Sequence, residues 1–241
     1  PPPPSPRVPP PSPPPPPPPP QKKQQRRKAS STSASAAASS NQQQGSSGCP
    51  EQGDAPARFA AGQAAFGRND VPTAFNCFTS AVERDPTFAQ AWYMAGGMYV
   101  VSGQEANAIP LFEKALEVQP DHPETLFELG NIRLSSQEAE TALRLFTESV
   151  ASLDRAVAAG TEGVDTSLLP TALSNLGNTL NDLGRPKEAL AAFERAASTK
   201  PPKCIAFNGL SNAYEGMNRY DDARKASARG TKLLPDCDYA Y

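Results

Sequence analysis

A pattern that recurs about every 34 residues constrains this chain more than any other feature. Its clearest copy begins at Ala89 and predicts two helices. In the first helix, small and aromatic residues share one face at i, i+3, i+4 and i+7 spacing, at Trp92, Ala95, Gly96 and Tyr99. Gly103 ends that helix, because glycine tolerates a left-handed backbone. The second helix has a face at Ala108, Phe112 and Ala115, and Pro120 closes the unit, because the residue before a proline is disfavoured in a helix.

The same frame fits four more segments of the chain. A glycine of the first helix recurs with a phenylalanine of the second at Gly62 and Phe78, Gly96 and Phe112, Gly130 and Phe146, and Gly177 and Phe193. The turn between the helices gives an independent check, with Asn69, Gly103, Gln137, Gly184 and Asn218 at corresponding positions. Glycine and asparagine are the residues that accept a left-handed turn, so four of the five turns agree with the frame.

This pattern resembles the tetratricopeptide repeat, with Ala95 where the family usually has leucine. The resemblance implies an all-α fold, a right-handed superhelical solenoid of about five helix-turn-helix units that bury their apolar sides against one another. The predicted repeat domain spans 55–236, with repeats at about 55–88, 89–122, 123–156, 170–203 and 204–237, and an insertion at 157–169. Residues 238–241 resemble the start of a further repeat.

The third repeat departs from the pattern. Asp154 stands where the other copies have their closing proline, so its second helix is expected to run on. The insertion at 157–169 is then either a tolerated surface loop, which we favour, or an extra contact site.

Low-complexity sequence precedes the repeats. Residues 1–20 are almost all proline and predict an extended polyproline II segment, which serves as a spacer or as a ligand of SH3 or WW domains. Residues 21–54 are mostly Gln, Lys, Arg, Ser and Ala, too polar to bury a core, and predict a disordered linker. Within them, residues 21–48 have the basic, acid-free character of an organellar transit segment, which is the alternative.

Charge and cysteine spacing limit the partners and the compartment. All 25 acidic residues lie at or after Glu51, whereas six of the 23 basic residues precede it. An acidic repeat region gives no support for nucleic-acid binding, and no apolar run approaches the roughly 18 residues of a membrane span. The four cysteines, which have no metal-ligand or disulfide-scaffold spacing, are expected to be thiols in a reducing compartment. We expect a cytoplasmic or nuclear protein; the transit-like alternative would place it in a chloroplast or mitochondrion.

Catalytic signatures do not occur in the sequence. It has one histidine, His122, in a predicted turn where a solvated side chain is the expected role. Nucleophile elbows, phosphate-binding loops and zinc-binding HExxH runs are all missing. We therefore predict no enzyme, no catalytic residue, no metal site and no cofactor in this chain.

The resemblance implies that function lies on the other face of each first helix, which in this family lines a concave groove. The candidate peptide-binding residues there are Phe59, Tyr93, Met94, Phe127, Asn131, Asn175, Asn178, Asn208 and Asn212. Asparagine offers both a donor and an acceptor, so this row could pair with a peptide backbone, while the aromatic residues hold apolar anchors. A similar asparagine ladder occurs in the O-linked N-acetylglucosamine transferase family. The alternative is that these asparagines are simply solvated.

Chaperone-binding members of the family clamp a C-terminal carboxylate with Lys and Arg. Here the corresponding places hold Phe59, Met94, Glu124 and Glu128 in the first three repeats, so a chaperone-tail partner is not expected. The sequence predicts a non-catalytic module or scaffold that binds an extended peptide or a partner helix. Two alternatives are a substrate-selecting fragment of a larger enzyme, such as an O-linked glycosyltransferase, and an organelle-targeted assembly factor.

Overall fold

The regular structure of the described residues is entirely helical. The computed structural model describes residues 48–50, 53–161, 166–200 and 202–235. These ranges contain ten α-helices and one short 3-10 helix at Thr166–Leu168: α1 Ala55–Gly67, α2 Val71–Arg84, α3 Ala89–Val101, α4 Glu105–Val118, α5 Pro123–Ser135, α6 Ala139–Ala158, α7 Leu169–Asp182, α8 Pro186–Ala197, α9 Cys204–Gly216 and α10 Tyr220–Leu233. The all-α prediction is thus confirmed for this part of the chain. The predictions for residues 1–20, for nearly all of 21–54 and for 238–241 lie outside it.

Local sequence signals set the starts of several helices. Asp54 precedes α1 and its carboxylate accepts a hydrogen bond from the amide of Ala57 at 3.0 Å, while Asp70 does the same for Thr73 at 3.2 Å before α2. These carboxylates satisfy amide groups that a helix leaves unpaired at its N-terminus.

The chain divides within α4 into two compact units, Pro1–Ala108 and Ile109–Tyr241.

In the first unit, α1 and α2 form an antiparallel hairpin. Gly62 of α1 lies against the ring of Phe78, and Arg58, one turn earlier, donates a hydrogen bond to Ser80 of α2. From Gly62 to Arg58 the residue numbers fall along α1, while their partners on α2 rise from Phe78 to Ser80. The two helices therefore run in opposite directions. A Cβ atom at Gly62 would lie 2.6 Å from Cε1 of Phe78, so only glycine permits this approach.

The second unit contains three hairpins, α5 with α6, α7 with α8, and α9 with α10, and the first two are built by the same contact. A Cβ atom at Gly130 would lie 2.7 Å from the Phe146 ring, and one at Gly177 would lie 2.7 Å from the Phe193 ring. The Phe193 ring also lies against Gly209 of α9. One phenylalanine therefore packs within its own hairpin and against the next.

Helix α6 is the longest helix of the described residues, with 20 residues, as the missing proline predicts. Contacts hold both its regular turns and its extension. The Ser149 hydroxyl donates to the carbonyl oxygen of Pro123 at 2.8 Å, and Ser152 donates to that of Asp121. Farther along, Asp154 forms an ion pair with Arg195 of α8. The extension thus connects the α5–α6 hairpin to the α7–α8 hairpin.

The turns that follow α1, α3, α5, α7 and α9 share one backbone conformation. The central residue has a positive φ in each, at Asn69 (60°), Gly103 (71°), Gln137 (64°), Gly184 (71°) and Asn218 (58°). Gln137 is thus left-handed although glutamine does not favour that conformation. The flanking contacts hold it there, because the Glu138 amide donates to the Arg133 carbonyl at 2.8 Å and their side chains pair at 3.1 Å.

The cysteines differ from the expectation of four thiols. Cys204, the first residue of α9, is disulfide-bonded in the structure, so the expectation is wrong for this residue. Sequence spacing did not indicate it, because a disulfide depends on distance in space rather than along the chain. Cys49 and Cys77 are thiols. Burial, together with a hydrogen bond to Cys49, raises the pKa of the Cys77 thiol to about 12.

Relieving the strained turn should stabilise the protein. We expect Gln137→Gly to raise the free energy of unfolding by about 0.5–1 kcal/mol, because glycine avoids the left-handed penalty but costs more chain entropy. Gly184→Ala, at the equivalent turn, should lower it by about the same amount. Chemical denaturation of both variants measures this, and a destabilised Gln137→Gly would contradict it.

Removing the ring that packs against two glycines should be costly. Phe193→Ala is expected to lower the free energy of unfolding by about 3–5 kcal/mol, because it leaves a cavity between α7, α8 and α9. Phe66 is 40% exposed on α1, so Phe66→Ala is the matched control and should cost about 1 kcal/mol or less. Equal losses of unfolding free energy in the two variants would contradict a stabilising role for the Phe193 contact beyond that of a surface phenylalanine.

Candidate peptide-binding face

Three candidate residues lie in the first unit, and all three are half-buried. Phe59 is committed partly to packing, because its ring centroid lies 5.4 Å from that of Phe78 and 4.9 Å from that of Phe88. Tyr93 and Met94 lie on α3 and keep part of their surface accessible. They are thus the accessible apolar candidates of this unit, with Phe59 in a supporting position.

Phe127 is buried rather than accessible. Only 8% of its surface is exposed, and its ring lies 5.8 Å from that of Phe146. Sequence spacing could not show this, because the position falls at the edge of the predicted face, where helix packing decides exposure. The structure therefore places this side chain in the core of the second unit.

The asparagine candidates lie on three first helices of the second unit. We call their surface the asparagine face, defined by Asn131 of α5, Asn175 and Asn178 of α7, and Asn208 and Asn212 of α9. Asn178 and Asn212 are exposed, and the other three are half-buried. All five retain some accessible surface, as a binding role requires.

A direct hydrogen bond joins two of these helices. Asn175 Nδ2 donates to Asn131 Oδ1 at 2.8 Å, which brings α5 and α7 together. Helix α7 also packs against α9, and Lys203, just before α9, donates to the Thr171 hydroxyl of α7 at 2.8 Å. Helix α7 therefore contacts both α5 and α9, and Asn131 and Asn175, which are distant in the sequence, meet between α5 and α7.

Glu128 belongs to this network. Asn131 Nδ2 donates to Glu128 Oε2 at 3.5 Å, so the amide of Asn131 is held between the carboxylate and Asn175. Burial raises the pKa of the Glu128 carboxyl, and the bond from Asn131 offsets this only in part. The sequence places Glu128 on the groove face of the third repeat, three residues before Asn131, but the candidate peptide-binding residues did not include it.

His122 is not the solvated turn residue that we expected. Its side chain is buried and caps α5, because Nδ1 accepts from the amide of Thr125 at 3.3 Å and lies 2.9 Å from the Thr125 hydroxyl. Ser149 and Ser152 of α6 donate to the carbonyl oxygens of Pro123 and Asp121, so α6 lies against the segment that contains His122. The long α6 thus turns a surface position into a buried one.

The His122 cap should make stability depend on pH. Burial lowers the pKa of the imidazole, and the nearby Glu124 and Asp121 carboxylates raise it by less. Because the unfolded state binds the proton more readily, stability should be lost as the pH falls from about 7 through the unfolded-state histidine pKa of about 6.5.

Chemical denaturation at several pH values measures that loss. An asparagine at this position would cap the helix without titrating, so His122→Asn should show a smaller fall in unfolding free energy between about pH 7.5 and 5.5 than the wild type. Identical falls in the two proteins would exclude His122 as the source.

Within the described ranges, no cluster of three or more His, Cys, Asp or Glu side chains could hold a metal ion. The same part of the chain has no helix that is both long and apolar enough to cross a membrane.

Family comparison agrees with the repeat pattern. One model described as tetratricopeptide repeat matches residues 59–123 and 99–152, and a second such model matches residues 171–200. Superkiller protein 3 of Schizosaccharomyces pombe is 25% identical over 172 residues, which cover 70% of this chain and 12% of that protein. The chain therefore spans about an eighth of that relative's length.

Solved tetratricopeptide repeat structures have the same fold. MamA matches with a TM-score of 0.59 and 20% identity over 72% of this chain and 94% of that one. YrrB, described as a tetratricopeptide repeat protein with an unusual peptide-binding site, matches with a TM-score of 0.58 and 22% identity over 76% of this chain and 88% of that one. Repeat spacing, helix pairing, sequence models and structural neighbours agree: the chain belongs to the tetratricopeptide repeat family.

Proposed function

We propose that this chain is a non-catalytic protein-interaction module, and that its asparagine face binds an extended peptide segment of a partner protein. The observation that carries the proposal is the bond between Asn131 and Asn175, which aligns amide side chains from separate helices on one surface. Such alignment favours a ligand that is itself extended, because its groups must meet side chains along successive helices.

The chemistry of the face suits a peptide backbone. Each backbone residue other than proline presents one N–H and one C=O, and an asparagine side chain can pair with both. Asn178 and Asn212 are exposed, so their amides are accessible to a ligand in the unbound protein. Fixed first helices also reduce the entropy that binding would cost.

Specific side-chain anchoring would need apolar contacts as well. In the first unit, Tyr93 and Met94 are half-buried and offer such a surface on α3. Aromatic and methionine side chains are enriched in protein interfaces. We propose that Tyr93 and Met94 form an apolar surface that contacts a partner independently of the asparagine face. Phe59 and Phe127 mainly contribute to the packing beneath the candidate surfaces.

The similarity to YrrB supports peptide binding, since that protein's description includes a peptide-binding site. The activity and partners of longer proteins such as Superkiller protein 3 remain separate proposals, because this chain matches only 12% of that protein. The enzyme-fragment and assembly-factor alternatives have no specific support among the described residues. A cytoplasmic or nuclear location stays a prediction.

A peptide selection tests the proposed face. Random dodecapeptides displayed on phage are selected on the full chain, and a selected peptide is synthesised for fluorescence anisotropy. Asn178→Ala/Asn212→Ala should weaken its binding about tenfold, because two backbone-directed hydrogen bonds are lost. Asn76, which is exposed on α2, supplies the control Asn76→Ala and should leave affinity unchanged.

Unchanged melting temperatures would confirm that the variants fold. Equal affinity of the double variant and the wild type would refute the asparagine face as the peptide site. Failure to select any peptide would contradict peptide binding itself.

A further inference from the structure

We propose that Glu128 binds a lysine or arginine side chain of the partner segment, which gives the asparagine face a preference for basic peptides. This inference rests on the proposed function, because it assigns one contact within the same face. It concerns sequence preference, whereas the asparagines would contact backbone groups that every peptide shares.

The carboxylate is held in place on the face. Glu128 is half-buried on α5, and Asn131 donates to its Oε2 at 3.5 Å. Asn131 is in turn fixed by the 2.8 Å bond from Asn175. The network therefore restricts Oε2 through Asn131, while the Glu128 residue stays only half-buried.

This carboxylate has no cationic partner within the ranges that the structure describes. No lysine or arginine nitrogen there lies within ion-pair distance of it, although nine such pairs occur elsewhere in those ranges. Lys203, just before α9 on the same set of first helices, donates to Thr171 of α7 instead. Among the described residues the Glu128 carboxylate therefore has no cation beside it that a partner's ammonium or guanidinium group would have to displace.

A second carboxylate strengthens the negative potential. Glu124 lies one turn before Glu128 on α5, and such i, i+4 pairs of like charge disfavour each other. Glu124 Oε2 lies 3.4 Å from His122 Nδ1, but burial keeps that imidazole neutral near pH 7 by lowering its pKa. Near pH 7 the imidazole of His122 therefore adds no positive charge beside the Glu124 carboxylate.

Partial burial of Glu128 increases the binding free energy that a contact with a cation would provide. Burial already raises the pKa of the Glu128 carboxyl, which shows that its charge is incompletely solvated in the free protein. A partner's ammonium or guanidinium group would form a charge-assisted hydrogen bond where water competes poorly. Anionic ligands are disfavoured for the same reason, and no cluster of three or more His, Cys, Asp or Glu among the described residues could hold a metal ion there.

A double-mutant cycle tests the contact. A selected dodecapeptide containing lysine is compared with the same peptide carrying norleucine, which has a similar length and no charge. Glu128→Gln should weaken binding of the lysine peptide about tenfold or more and leave the norleucine peptide nearly unchanged. Glu148→Gln is the matched control, since Glu148 is exposed on α6 of the same hairpin, and it should change neither affinity.

Stability provides the check on folding. Glu128→Gln should have a melting temperature equal to or above that of the wild type, because a neutral amide costs less to bury than a carboxylate. A lower melting temperature would show that the carboxylate is structural and would overturn the inference.

The remaining outcomes separate the inference from the proposed function. Selected peptides without lysine or arginine enrichment, or equal losses for both peptides, would overturn the Glu128 contact and leave peptide binding intact. Selection of no peptide would overturn both the Glu128 contact and peptide binding.

The chain's own basic run is the other candidate occupant. Tighter peptide binding by a variant with glutamine at Lys22, Lys23, Arg26, Arg27 and Lys28 would overturn the assignment to a separate partner.

Discussion

The close contact between a glycine on a first helix and a phenylalanine on a second helix is the interaction on which the structure depends. At Gly62, Gly130 and Gly177 the facing ring occupies the space that a Cβ atom would need. Two helices of a hairpin can therefore approach closely while the ring fills the joint. Because the Phe193 ring also reaches Gly209, the same contact connects one hairpin to the next. The surface of the first helices is available for other roles only because this packing lies beneath it.

The asparagine face shows how such packing creates a site from residues far apart in the chain. Asn131 and Asn175 are 44 residues apart, and the insertion between α6 and α7 lies between them, yet their amides form a hydrogen bond. The extended α6 also contacts the next hairpin through the ion pair of Asp154 with Arg195 of α8. Glu128 joins this partly buried polar surface through its hydrogen bond from Asn131; under the proposed contact its charge would cost stability in the free protein and favour a cationic ligand. The proposed function and the stability of the fold thus act against each other at this residue.

Several features could be predicted from the sequence because they depend on local patterns. Helix pairing follows from apolar spacing, and the length of α6 follows from the missing proline. Four of the five turns follow from their glycine or asparagine. The fifth did not, because the hydrogen bond and ion pair of Arg133 and Glu138 impose a left-handed backbone on Gln137. Likewise, spacing identified the face that carries Asn178 and Asn212 but could not distinguish the accessible Asn131 from the buried Phe127, because neighbouring helices decide exposure at the edge of a face.

By itself, then, the sequence determined the helical repeat, its glycine–phenylalanine contacts and the family, since each depends on residue types at fixed spacing. Only the tertiary structure decided that His122 is a buried helix cap, that Cys204 is disulfide-bonded and that Asn131, Asn175 and Glu128 form one network. The physical reason is that burial, disulfide bonding and hydrogen bonding between hairpins depend on distances between segments, and residue spacing along a single helix does not specify those distances.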